Sequence, residues 1–245
     1  VEGIEFEAGV FTNFSHEHLE FYANLSDYFD AKKLLLNRIK NPKNMFINQD
    51  DHNLAVLLKN NSNYSSISLE DASATLFGCA HQVDNETMLH LMVDGKIYDI
   101  FIPFLGLFNV YNVLGVLGLM KALGIDFTEL KYALKSLDYV PGRMEKYQLK
   151  NGALCFIDYA HNPSSFEAVL STLRSLTDHL IVVFGAGGNR DPQKRPIMGS
   201  IAQKYCNVVI VTSDNPRDEN AADIAAAIEQ GFDTTKELEC YKELN

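Results

Sequence analysis

Between residues 64 and 102, apolar and polar positions alternate in the period-two pattern of half-buried β-strands. The pattern predicts strands over 64–69, 74–80, 88–93 and 96–102. The dipeptide Asp94-Gly95 between the last two predicts a hairpin turn. Nearer the start of the chain, residues 9–12 are typical of the end of a strand and residues 44–48 of a short buried one.

Helical patterns separate these strands. Ser26 is expected to cap a helix whose apolar positions continue to Ile39, and Asp51 to cap a second helix that reaches Leu58. A further helix is predicted over 128–137, after a segment in which Asp126 and Glu129 resemble a capping box.

The longest uncharged segment has 21 residues, from Ile100 to Met120, which is about the length that crosses a bilayer. Proline, glycine and asparagine residues interrupt it, and amide side chains facing lipid are costly. A buried helix over 107–123 is therefore predicted, and no membrane insertion is expected.

After Pro141-Gly142 the pattern changes to alternating strands and helices, which is typical of an α/β domain around a mostly parallel sheet. The change predicts two domains, 1–140 and 141–245. The predicted elements of the second are a hairpin over 144–149 and 153–157, a helix after Pro163, a continuous buried strand over 179–184, a helix over 196–205, a strand over 208–212 and a helix over 221–228.

Charge, composition and cysteine content disfavour some binding partners and predict the cellular compartment. The 21 Lys and Arg residues against 32 Asp and Glu residues leave a net charge of −11, which disfavours binding to nucleic acid or to an anionic membrane surface. An apolar fraction of 47% excludes a disordered chain. The four cysteines are far apart and form no CxxC pair, which indicates free thiols in a reducing compartment and predicts a cytoplasmic protein.

Polar residues collect where three predicted strands end, at 158–161, 185–191 and 213–217, and ligands of parallel sheets bind at such ends. The glycines at 185–188 lack the GxGxxG spacing of dinucleotide-binding loops. They indicate either a loop that binds a ligand or a structural turn. The neighbouring cations Arg190, Lys194 and Arg195 indicate an anionic ligand, a counter-ion for Asp191 or a solvated face.

The segment Asp214-Asn-Pro-Arg217 allows two interpretations. Its carboxylate and guanidinium could hold a zwitterion, or Asp214 or Asp218 could cap the next helix. The residues alone favour the capped turn slightly.

Five other residues leave alternatives open. The pair His16 and His18 could begin a metal site or be solvated, and Lys32 has the position of a lysine that extends from an apolar face to water. Asn109 and Asn112, in an apolar helix, need partners, which could be a nucleotide base or a neighbouring carbonyl.

Together these segments resemble the Mur ligase family, in particular its MurE branch, whose members add the third amino acid of the peptidoglycan stem. The matching stretches are 11–20 with 28–32, 106–112, 142–145, 158–163, 184–191 with 194–196, and 212–217. They follow the order of the family and cover most of the chain.

The resemblance implies part of a central ATP-binding domain over 1–140, followed by an incomplete Rossmann-like C-terminal domain over 141–245. It also implies an ATP-dependent acid–amino-acid ligase that uses Mg²⁺ and joins meso-diaminopimelate to UDP-MurNAc-L-Ala-D-Glu through an acyl phosphate. Such a protein takes part in peptidoglycan synthesis and is expected to be monomeric at full length.

Residue roles follow from the same resemblance. It implies that His18 and a carbamylated Lys32 bind Mg²⁺ and, with His161, serve catalysis. Asn112 would contact adenine, Asp158 the ribose, and Arg143 and His161 the phosphates. The amino-acid pocket would consist of Arg190, Asp214, Asn215 and Arg217, an arrangement that goes with diaminopimelate.

Three departures from the family pattern matter. Tyr22 stands where the family has a histidine, no GxxxxGK[ST] phosphate loop occurs, and a late GKGHE-like segment is missing. We therefore expect a fragment that is inactive by itself. Alternatives are a lysine-adding or folylpolyglutamate synthetase-like ligase, a cyanophycin-type ligase, or a non-catalytic nucleotide- or amino-acid-binding module.

Overall fold

The structure is a computed structural model that describes residues 3–15, 21–83, 86–135, 139–236 and 238–243. The chain divides into two compact units. The first comprises Val1–His16 and Asn24–Ile157, and the second comprises Glu17–Ala23 and Asp158–Asn245.

The first unit contains a six-stranded sheet whose strands lie side by side in chain order. The strands are β1 (Gly9–Phe11), β2 (Met45–Asn48), β3 (Ser65–Ser68), β4 (Leu76–Val83), β5 (Glu86–Val93) and β6 (Lys96–Ile102). Strands β1 to β4 are parallel, and β4 to β6 form an antiparallel meander. Asp94 and Gly95 have φ values of 49° and 72°, which is the left-handed backbone of the predicted two-residue hairpin turn.

The described residues of this unit form four α-helices: α1 (Leu25–Lys33), α2 (His52–Asn60), α3 (Leu107–Ala122) and α4 (Phe127–Lys135). Asp51 caps α2 as predicted, because its side chain accepts from the N–H groups of the first turn. The cap predicted at Ser26 is wrong, since Asn24 accepts from the N–H of Asp27 at 3.0 Å. Helix α1 also ends at Lys33, before Ile39.

Helix α3 packs on the sheet through fully buried side chains such as Val110, Leu114 and Leu117. Close approach requires Gly118, because a Cβ atom there would lie 2.7 Å from the ring of Phe46. No helix within the described ranges is long and apolar enough to cross a membrane.

A hairpin of β7 (Glu145–Gln148) and β8 (Leu154–Ile157) precedes the second unit. The remaining elements are α5 (Pro163–Arg174), β9 (Ile181–Phe184), α6 (Lys194–Tyr205), β10 (Val208–Thr212), α7 (Ala221–Glu229) and β11 (Glu239–Glu243). The sheet has the order β11-β10-β9 and is wholly parallel, as the alternating pattern predicts. The packing divides the chain after the hairpin, whereas the domain boundary at residue 140 precedes it and stays a prediction.

Strand β9 differs from the continuous buried strand that its composition predicts. Val182 and Phe184 are buried, and the ring of Phe184 lies 4.7 Å from that of Phe166 on α5. Ile181 and Val183 point to the opposite face and are 52% and 62% exposed. The prediction is wrong because the helices described in this unit leave these two side chains uncovered.

Candidate functional site

Two loops of the second unit interlock at the carboxyl ends of the parallel strands. One loop follows β9 and carries the glycines at 185–188, and the other follows β10 and carries residues 213–219. A Cβ atom on Gly185 would lie 2.3 Å from the carbonyl oxygen of Thr212, and the N–H of Gly188 donates to the carbonyl of Asn215 at 2.8 Å. The glycines therefore serve close backbone contact between the loops.

Two cationic side chains converge beside this contact. A Cβ atom on Gly187 would lie 3.3 Å from Arg217 Nη1 and 3.9 Å from Arg190 Cγ. Arg217 also donates from Nη1 to the carbonyl oxygen of Gly188. The structure thus brings together two of the predicted pocket residues, both on the exposed surface of the loops.

Arg217 has a φ of 49°, in the left-handed region that ordinary L-residues avoid. A non-glycine residue held there is a reason to look for a functional role. Because the guanidinium lies beside Gly187 and Gly188, the unusual backbone directs this cation toward the other loop.

Asp214 and Asn215 lie in the same loop as Arg217 and are exposed. The alternative in which Asp214 or Asp218 caps the next helix is wrong. Asn220 is the N-cap of α7, and its side chain accepts from the N–H of Ala222 at 2.8 Å. Asp218 instead accepts from Asn189 Nδ2 at 2.8 Å.

An ion pair between a buried arginine and a partly exposed glutamate connects the same two loops. Arg195 is 4% exposed and donates from Nη1 and Nη2 to the two carboxylate oxygens of Glu219, each at 2.8 Å. Glu219 Oε1 also accepts from the N–H of Asn189 at 2.6 Å. The arginine and, second, this backbone donor lower the pKa of Glu219 to about 2.

The pair corrects the interpretation of Arg195 as a ligand-binding group or a counter-ion for Asp191. Asp191 accepts from the N–H of Gln193 at 2.9 Å instead. Sequence reasoning missed Glu219. A buried arginine requires a carboxylate, but the sequence does not indicate one 24 positions away.

The loop that follows β8 carries Asp158 and His161. Asp158 Oδ1 accepts from the N–H of Ala160 at 2.8 Å. His161 Nδ1 lies 2.9 Å from the carbonyl oxygen of Tyr159, a contact that requires the proton on Nδ1 because a carbonyl only accepts. Lys194 Nζ donates to the carbonyl of His161 at 2.9 Å and so connects α6 to this loop.

In the first unit, the two asparagines of α3 have different environments. Asn109 is 4% exposed and donates to the carbonyl of Leu105 at 2.8 Å, while its own Oδ1 accepts from Asn112 Nδ2 at 3.3 Å. Asn112 is exposed. Asn109 is therefore paired with a neighbouring carbonyl, which is one of the two predicted alternatives. Asn112 can present its amide to a ligand.

A second contact that the sequence did not indicate holds α3 in place. Tyr111 donates to Asp50 Oδ2 at 2.7 Å, and the N–H of Leu69 donates to the same oxygen at 2.7 Å. Burial first, and then the contact with Asp50, raises the pKa of Tyr111 well above its usual value. The contact joins the N-terminal half of α3 to the residues that follow β2 and β3.

Of the two predicted metal ligands, His18 and Lys32, Lys32 lies within the described part of the chain. Lys32 is exposed, and its Nζ lies 5.3 Å from the ring centroid of Tyr28. His16 and His18 lie outside the described residues. No three His, Cys, Asp or Glu side chains in the described ranges are placed to hold a metal, and an ammonium group does not ligate Mg²⁺. The Mg²⁺ site stays a prediction.

The predicted residues are divided between the two units. Lys32, Asn112 and Arg143 belong to the first unit. Arg143 is exposed in the turn before β7, where its N–H donates to the carbonyl of Val140 at 3.0 Å. The predicted residues in the second unit are Asp158, His161, Arg190, Asp214, Asn215 and Arg217.

Both parts of the chain match known families. Residues 1–120 match the Mur ligase middle domain, and residues 142–245 match the family described as Mur ligase, glutamate ligase domain. A protein of Chlorobaculum tepidum named UDP-N-acetylmuramoyl-L-alanyl-D-glutamate--2,6-diaminopimelate ligase is 36% identical over 246 residues. The alignment covers 95% of this chain and 48% of that relative. The chain spans about half the length of the curated relatives it matches.

Solved structures are also similar to the chain. A structure titled with the same ligase name is 31% identical with a TM-score of 0.59, over 97% of this chain and 50% of that one. A folylpolyglutamate synthase of Mycobacterium tuberculosis, in complexes with ADP and AMPPCP, has a TM-score of 0.75 at 20% identity, over 98% and 54% of the two chains. The second likeness shows a shared fold alone. Together the comparisons confirm the predicted α/β fold class.

Proposed function

The chain belongs to the Mur ligase family, and from this premise we propose that the protein containing it is an ATP-dependent ligase that joins meso-diaminopimelate to UDP-MurNAc-L-Ala-D-Glu. The observation that carries the proposal is the pair of interlocked loops, which presents Asp214, Asn215 and Arg217 together on the surface of the second unit. The names of the curated relatives support the same substrate.

The side chains of the proposed pocket suit an incoming molecule that carries a second ammonium and a second carboxylate. Diaminopimelate carries an ammonium and a carboxylate at the end that does not react. Arg217 can clamp that carboxylate with two N–H groups, and Asp214 can pair with the ammonium. Lysine lacks the distal carboxylate, so it would leave Arg217 without a ligand group. Arg190 lies beside Gly187, as Arg217 does, and adds positive charge for the other carboxylate of diaminopimelate.

Four of the other predicted residues are proposed to hold ATP. Asn112 would pair with the adenine edge, Asp158 with the ribose hydroxyls, and Arg143 and His161 with the phosphates. The amide nitrogen of Asn112 already donates to Asn109. Its amide oxygen can therefore accept from the amino group of adenine.

The proposed reaction has two steps. A carboxylate oxygen of the UDP-linked dipeptide bonds to the γ-phosphorus of ATP, and ADP leaves. The neutral amine of diaminopimelate then bonds to the acyl carbon, inorganic phosphate leaves, and the nitrogen loses a proton. Cationic side chains near the transferring group would stabilise its charge.

The test is phosphate release by the full-length gene product with ATP, Mg²⁺ and UDP-MurNAc-L-Ala-D-Glu. We expect turnover with meso-diaminopimelate, little with L-lysine, and a loss of at least about 100-fold in kcat/KM in Arg217→Ala, as for a lost bidentate charge contact. Lys236→Ala, which removes an exposed cation of the same unit, is the matched control and should match wild type.

Three outcomes would contradict the proposal in different ways. A preference for lysine, or activity that does not depend on Arg217, would leave a ligase with a different pocket. Turnover with a folate substrate in place of the UDP-linked one would favour the folylpolyglutamate synthetase-like alternative. Binding of ATP or amino acid without turnover would favour a binding module.

A further inference from the structure

The ion pair of Arg195 and Glu219 lies behind the proposed pocket and contacts both of its loops. Arg195 Nη2 lies 3.4 Å from the carbonyl oxygen of Gly187. Glu219 accepts from the N–H of Asn189 at 2.6 Å and stands two positions after Arg217. The pair therefore joins the loop after β9 to the loop after β10 at residues next to the proposed ligand groups.

A short series of contacts leads from the pair to Arg217. The pair holds Gly187 and Asn189, the residues on either side of Gly188. Gly188 in turn accepts from Arg217 Nη1 and donates to the carbonyl of Asn215 at 2.8 Å. A shift of the pair would thus move the carbonyl group that orients the Arg217 guanidinium.

Burial makes this pair different from the surface ion pairs of the chain. The Arg195 side chain is 5% exposed and that of Glu219 is 34% exposed. The two contacts between them are parallel, and Arg195 Nε has no hydrogen-bond partner among the described residues. A buried guanidinium held in this way has a fixed geometry, because loss of the carboxylate leaves its charge without an anionic partner in a poorly solvated site. A fixed geometry is what a neighbouring recognition group requires.

We propose that Arg195 and Glu219 are positioning residues that set the amino-acid specificity of the pocket. The inference rests on the proposed function and deepens it. The two residues do not touch the amino acid. They fix the spacing of the two loops, so that the Arg217 guanidinium meets the distal carboxylate of a diacid.

Variants of the full-length enzyme test this. Glu219→Gln keeps the size of the side chain and removes its charge, and Glu219→Asp keeps the charge but shortens the side chain by one methylene. In Glu219→Gln we expect KM for meso-diaminopimelate to rise at least about tenfold, with KM for ATP and for the UDP-linked dipeptide within about twofold of wild type. Glu219→Asp should give an intermediate rise.

The matched control is Glu167→Gln, which removes another glutamate that pairs with a basic residue of α6. Glu167 contacts Lys204 at 2.7 Å, but both side chains are exposed, at 43% and 60%, and neither contacts the loops. All three KM values should stay at wild-type level in this variant, since exposed pairs contribute little.

Other results would overturn the inference. Equal rises in the KM of all three substrates, or a fall in kcat alone, would make the pair a purely structural element. If Glu219→Gln does not fold, Glu219→Asp decides, and wild-type KM values in that variant would contradict a positioning role. A wild-type enzyme without turnover overturns the proposed function itself. In that case, binding of meso-diaminopimelate measured by calorimetry, weakened at least about tenfold by Glu219→Gln, still supports the positioning role, and unchanged binding overturns it.

Discussion

A Cβ atom on Gly188 would lie 1.8 Å from the carbonyl oxygen of Pro216. No real side-chain carbon tolerates that distance, so the two loops can lie this close only with glycine at position 188. The polar residues that follow Pro216 owe their place beside the other loop to this contact.

Gly188→Ala should therefore separate the loops. Because the new atom meets backbone that cannot rotate away, we expect the free energy of unfolding to fall by ~2 kcal/mol or more. The urea midpoint of the full-length protein measures the loss, followed by a probe in the second unit.

Gly187→Ala is the control for that substitution. Its Cβ would lie 3.3 Å from Arg217 Nη1, the tip of a flexible side chain. We expect a change within about 0.5 kcal/mol, together with a higher KM for the amino acid as the guanidinium moves. Equal midpoints for the two variants would show that the loops are not held in contact.

Two substitutions at Arg217 separate its backbone from its side chain. Both Arg217→Ala and Arg217→Gly remove the guanidinium, but only glycine adopts a φ of 49° without strain. We expect the glycine variant to be more stable by about 1 kcal/mol, and both to lose activity with meso-diaminopimelate. An alanine variant as stable as the glycine variant would contradict the strained backbone.

Acid unfolding should reveal the ion pair of Glu219. The carboxyl has a pKa of about 2 in the folded protein, against an ordinary value of 4.5. Below pH 4.5 the unfolded chain binds a proton that the folded protein does not, so stability rises with pH in this window. The contribution of the pair is complete above pH 4.5 and is lost as the pH falls toward 2.

Urea midpoints measured between pH 5.5 and pH 2.5 test this. The wild-type midpoint should fall more steeply with decreasing pH than that of Glu219→Gln, because the glutamine side chain does not bind a proton in this range. Parallel curves for the two proteins would mean that Glu219 titrates normally, and the ion pair would then be absent in solution.

The two asparagines of α3 should separate nucleotide binding from stability. Asn112 is exposed, so Asn112→Ala should weaken ATP binding by about tenfold. It removes one hydrogen bond to Asn109, at 3.3 Å, so it should lower the unfolding midpoint less than Asn109→Ala does. Asn109 is buried and hydrogen-bonded at both ends of its amide, so Asn109→Ala should weaken binding and also cost about 1–3 kcal/mol of stability. Calorimetric titration with ATP measures the first effect. Unchanged binding in Asn112→Ala would remove that residue from the site.

Local chemistry explains why much of the fold was predictable. The period-two pattern of β4 to β6, the Asp94-Gly95 turn and the Asp51 cap each depend on neighbours within a few positions. Short-range information failed for the cap of α1, which is Asn24, two positions before the predicted Ser26. It also failed for β9, because composition does not show which face of a sheet is covered.

By itself, the sequence determined the parallel sheet of the second unit, the family, and the segments in which the polar residues proposed to bind ligands collect. Those properties follow from periodicity, turn residues and motif order, which are all local in the chain. Only the tertiary structure decided which groups meet. Arg195 pairs with a glutamate 24 positions away and Tyr111 with an aspartate 61 positions away. Such partners are chosen by burial and by the approach of separate elements, because a buried charge or hydroxyl pairs with whatever group the fold brings within reach.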